Sequence, residues 1–97
     1  MTSATRAKLR GMANTLEPIL HIGKEGITEN IVTQADEALE ARELIKISVL
    51  QNCMDDPKEL AALVGERTRS QVVQVIGKKI VLYKEGKDEK KKIELPR

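Results

Sequence analysis

Residues 71–83 constrain the fold most. "QVVQVI" and "KIVLY" are two β-branched runs joined by Gly77-Lys78. Two such runs about a Gly-containing two-residue joint read as a hairpin, so the pair is antiparallel. Upstream, Leu44-Ile45-Lys46-Ile47-Ser48-Val49-Leu50 is a β-rich run with partial alternation. Ile45, Ile47 and Val49 share one face; Leu44, Lys46 and Ser48 share the other. Residues 18–22, "PILHI", read as a short strand broken by Gly23 and Gly26.

One helical pattern precedes these runs and two separate them. The first covers roughly 3–14, capped by Thr2 or Ser3, with Leu9, Met12, Ala13 and Leu16 at helical spacing toward the core. The second begins after the N-cap Thr28 and places Ile31, Val32, Ala35, Ala38 and Leu39 in one stripe. The third begins at Asp56-Pro57, an N-cap followed by Pro at the first helical position, with Leu60, Ala61, Leu63 and Val64 as its apolar face. The order is α-β-α-β-α-β-β. Right-handed crossovers in the first two βα units give parallel pairings. An α/β domain with a mixed four-stranded sheet packed with helices follows.

The 97 residues make a single domain, 1–97, with about 85–97 expected to be a flexible basic tail. The late pair Ile93 and Leu95 could add a short edge strand. One cysteine, Cys53, allows no intramolecular disulfide and suits a reducing cytosol. No apolar run approaches the ~18–20 residues of a membrane span, and the N-terminus lacks a signal-peptide core.

Net charge is +2, but it is unevenly spread. Arg6, Lys8 and Arg10 stand among the first ten residues without an acid. Residues 77–97 carry eight basic and four acidic side chains, whereas residues 28–43 carry five acids against Arg42. Such polarisation favours an anionic partner, although solvated helix faces give the same pattern.

"HIGKEG", residues 21–26, joins the first strand to the second helix. First-turn N–H groups lack intrahelical partners, and the helix dipole adds partial positive charge there. Glycines allow close approach of a phosphodiester backbone, and Lys24 adds a full charge. Glu25 opposes it. A G-x-x-G turn is also a common plain turn, and this one is neither a P-loop nor G-x-G-x-x-G.

At residues 9–49, "LRGMANTLEPILHIGKEGITENIVTQADEALEARELIKISV", and 72–87, "VVQVIGKKIVLYKEGK", the chain resembles the CRM domain family, in particular its small stand-alone bacterial YhbY-type members. The shared pattern is L-x-P before the first strand, I-G-K-x-G-I-T at the loop, E-L-I-K in the second strand, Q-V-I-G-K-x-I-V-L-Y in the hairpin and L-P-R at the end. The resemblance implies an RNA-binding domain similar in shape to the C-terminal domain of translation initiation factor three. It also implies association with large-subunit ribosome precursors. The RNA site it implies is Gly23, Lys24, Glu25 and Gly26, with Arg6, Lys8 and Arg10 as the adjoining basic surface.

Other candidates are weaker. His21 reads as a strand histidine, since one distant Cys53 gives no metal-ligand spacing. Cys53 lacks a convincing base, and Asp55-Asp56 reads as a helix cap rather than a catalytic pair. Tyr83 alone cannot supply the stacking rings of an RRM-like face, so binding should rest on phosphate and shape contacts. We expect no catalysis, metal, cofactor or small-molecule substrate, and a monomer in the cytoplasm. The alternatives are a phosphate-site enzyme using Gly23–Gly26 and a protein-interaction adaptor using the acidic helix.

Overall fold

The computed structural model describes residues 2–86. Its elements are α1 Ser3–Ala13, β1 Leu20–Ile22, α2 Glu29–Arg42, β2 Leu44–Val49, α3 Pro57–Thr68, β3 Gln71–Ile76 and β4 Lys79–Tyr83. Each helix starts where a cap removes an orphan N–H. Thr2 accepts from Thr5 N, Thr28 from Ile31 N and Asp56 from Lys58 N. Two helices leave through positive φ. Glu43 follows α2 at φ 65°, and Arg69 follows α3 at φ 57°.

The four strands form one sheet in the order β1-β2-β4-β3. β1 and β2 are parallel; β4 is antiparallel to both β2 and β3. The expectation of parallel pairing therefore holds for the first βα unit and needs correction for the second. β2 and β3 run in the same direction but do not pair, because β4 lies between them.

The sheet has a helix layer on each face. Toward α2 and α3 it turns Leu20, Ile22, Ile45, Ile47, Val49, Ile80 and Leu82, which pack with Ala35, Leu39, Leu60 and Val64. Toward α1 it turns Leu44, Val73, Val81 and Tyr83, which pack with Leu9 and Ala13. Leu9 has no exposed surface, and its burial stabilises the α1 layer by about 1.5–3 kcal/mol.

Some core positions differ from the helical stripes. Met12 and Leu63 are each 38% exposed, whereas Thr5, Gly65 and Thr68 are buried. Gly65 faces Val72, so α3 approaches β3 closely there, and Thr68 donates to Val64 O at 2.7 Å.

The chain beyond β4 stays attached as far as Gly86. Glu43 is fully buried; its backbone O accepts from Lys84 N at 2.9 Å and its Oε2 from Gly86 N at 2.8 Å. The remainder of the expected tail, with Ile93 and Leu95, lies outside the described residues.

Candidate nucleic-acid interface

Residues Gly23–Gly26 form a hydrogen-bonded turn in which Gly26 N donates to Gly23 O at 3.0 Å. Neither Lys24 nor Glu25 has positive φ, as in a type I turn, and Gly26 takes φ +68° at the fourth position. The central side chains, Lys24 and Glu25, are both exposed. The turn then passes through Ile27 to Thr28. Thr28 caps Ile31 N, so the first-turn N–H groups of Glu29 and Asn30 are the ones the helix leaves for an outside acceptor.

The two glycines have different surroundings. Gly23 is half-buried, and a Cβ there would meet Asn52 and Leu50 side chains at ordinary contact distances of 3.7–3.9 Å. Gly26 is buried, and a Cβ there would lie 2.9 Å from Asp55 Oδ2. Bare backbone open to a ligand is thus confined to the Gly23–Glu25 side of the turn. At Gly26 the requirement is for positive φ beside Asp55.

The three basic residues of α1 occupy another part of the molecule. Arg6 is half-buried, and its Nη1 donates to Val72 O at 3.1 Å and Val73 O at 2.7 Å. Those carbonyls belong to β3, the edge opposite β1, roughly 14 Å away by three inter-strand steps. They also lie at the β2-start end of the sheet, whereas the glycine turn follows the β2-end side. Arg6 fastens a β-bulge there, since the β3–β4 register shifts between Val72 and Gln74. Lys8 and Arg10 are exposed. The structure thus holds the four loop residues together and sets the α1 basic residues apart from them.

A family model described as the CRS1 / YhbY (CRM) domain matches residues 1–84. The chain belongs to the CRS1/YhbY (CRM) domain family. This CRM protein is 52% identical over 96 residues to "Probable RNA-binding protein YqeI" of Bacillus subtilis (strain 168), with 99% of each chain covered. It is 34% identical over 98 residues to "RNA-binding protein" of Haemophilus influenzae, covering 99% of this chain and 97% of the relative. The solution structure of a hypothetical protein from Staphylococcus aureus has the same fold, with a TM-score of 0.83 at 53% identity and 99% coverage of each chain.

The CRM sheet also carries basic residues outside the expected site. Lys46 on β2 and Lys79 on β4 project from the α1-side face, and Lys79 Nζ donates to Ser48 Oγ at 3.0 Å. Their signal in the sequence was a lone lysine within an otherwise apolar strand run, Lys46 in the middle of one and Lys79 at the start of the other. His21, expected to be packed or half exposed, is exposed on the same face. Cys53 is buried in the core beside α2 and α3. Among the described residues no group of three or more His, Cys, Asp or Glu side chains could hold a metal ion, and no helix is long and apolar enough to cross a membrane.

Proposed function

We propose that this CRM domain binds RNA through the Gly23–Gly26 turn and the start of α2, acts on precursors of the large ribosomal subunit and assists their assembly without chemistry of its own. The observation that carries the reading is the exposed Lys24 on a tight turn that runs directly into the capped N-terminus of α2. A cation, orphan N–H groups and the helix dipole there favour one phosphodiester group. Relatives named as RNA-binding proteins over nearly their full length support the ligand class. The ribosomal role rests on the family resemblance in the sequence. The protein acts as a monomer in the cytoplasm.

Fluorescence anisotropy with labelled RNA tests the site. Lys24→Glu should lower affinity strongly at low salt with the melting temperature unchanged, and Glu25→Gln should raise it. Equal affinity of Lys24→Glu and wild type would reject the turn as the contact. Sucrose gradients test the role: co-sedimentation with large-subunit precursors is expected, and a protein found only in the free fractions would refute it.

A further inference from the structure

We propose that the uncovered half of the α1-side sheet face is a second contact surface, which carries the sugar-phosphate backbone of single-stranded RNA away from the glycine turn. This rests on the RNA-binding reading above and extends it to residues outside the turn.

The argument begins with register. His21 on β1 pairs with Ser48 on β2, Ser48 with Lys79 on β4, and Lys79 with Ile76 on β3. These four residues form one row across the full width of the sheet. Leu20 and Ile22, and likewise Ile47 and Val49, turn into the opposite core, so His21 and Ser48 must point to the α1 side. The Lys79–Ser48 hydrogen bond puts Lys79 there too. In the next row Lys46 pairs with Val81, and Val81 with Gln74.

α1 leaves the first row uncovered and overlies the second only at Val81. Its eleven residues span about 16 Å, its packing partners Leu44, Val73 and Tyr83 lie toward the other end of the sheet, and of these two rows it reaches only Val81. His21 and Lys79 are exposed, and Ile76 is 60% exposed. Where the C-terminus of α1 overhangs the sheet, a small cleft of about 130 Å³ is lined by Asn14, Lys46, Gln74, Ile76 and Lys79.

Charge decides the occupant. Lys46 and Lys79 are two cations on one face, and among the described residues neither is paired with an acid. Glu17 shares with Lys46 the lining of the neighbouring cavity, and the α1 C-terminus adds partial negative charge, so the attraction centres on Lys79. Gln74 and Asn14 offer amide donors, and His21 offers a ring edge or face beside Gly23. The row starts next to the glycine turn and ends at the Gly77-Lys78 hairpin. It is one line, roughly 14 Å long and walled on one side by α1, with His21 and Lys79 as its exposed polar members and Ile76 as an apolar end. A single strand presents one line of phosphates to match it.

The test is anisotropy with a labelled oligouridylate and with an RNA duplex of the same length, across a salt series. For single strands the slope of log K against log salt falls by about 0.7 for each phosphate contact removed, so Lys46→Gln/Lys79→Gln should flatten it by about 0.7–1.4, most of it from Lys79. Affinity for the single strand should drop at least tenfold, with a smaller loss for the duplex. Lys46→Arg/Lys79→Arg should restore both, which a merely structural role for the Lys79–Ser48 bond would not require. Unchanged slope and affinity in the Gln pair, with Lys24→Glu still defective, would overturn this surface and leave the turn standing. Equal loss for single strand and duplex would also overturn it. Failure of the wild type to bind either RNA would remove the RNA-binding reading itself.

Discussion

Gly23 and Gly26 should respond in opposite ways to the same substitution. At Gly26 the backbone sits at φ +68°. Holding an Ala in the left-handed region costs about 1–2 kcal/mol. The 2.9 Å approach to Asp55 Oδ2 adds little, because Asp55 is exposed and its carboxylate can swing aside. For a domain of this size each kcal/mol shifts the melting temperature by about 4–8 °C, so Gly26→Ala should melt about 4–16 °C lower. Gly23 has no positive φ, and its added methyl would meet only ordinary contacts. Restricting the unfolded chain there should stabilise Gly23→Ala by about 0.4–1 kcal/mol, provided its native conformation suits Ala. Thermal melts by circular dichroism read both. Adding Asp55→Ala to Gly26→Ala should recover less than half of the lost stability. Full recovery would show a steric cost and refute the backbone reasoning; equal melting of the two glycine variants would do the same.

Arg6→Met removes two hydrogen bonds from a guanidinium to the bulge carbonyls and should cost about 1.5–3 kcal/mol, with faster hydrogen exchange near Val73. Lost RNA affinity without lost stability would instead make Arg6 a ligand contact. Glu43→Ala leaves Gly86 N without its buried acceptor and should cost about 1.5–3 kcal/mol, whereas Glu43→Gln, which keeps an acceptor oxygen, should cost less; denaturant titration ranks the two. The Cys53 thiol, 3% exposed, should resist a thiol reagent in the folded protein and react on unfolding; prompt native reaction would contradict its burial.

The elements legible in the sequence are those written locally. Asp56-Pro57, Thr28 and Gly77-Lys78 mark their own boundaries, because caps and turns act within a few residues. The alternation of β2 placed Ile45, Ile47 and Val49 together, as they are in the core. At the site, the exposure of Lys24 follows from its place in the turn. What was not legible depends on partners far along the chain. Nothing near Arg6 reveals that it reaches carbonyls at residues 72 and 73. Asp55 comes to lie beside Gly26 from a distant loop, and Glu43 takes up Gly86 N from the segment after β4. The row from His21 to Ile76 appears only once the sheet order is known, since it joins four separate strands.

That order has a consequence during synthesis. Among the described strands, the last to leave the ribosome, β4, is the one that fills the gap in the sheet. Until residues 79–83 emerge, β2 lacks a partner on one side, β3 lacks its only partner, and both faces of the core stay incomplete. The nascent chain therefore cannot lock in stages from its beginning. It waits, with strand margins bare, for a five-residue keystone and then closes in one step.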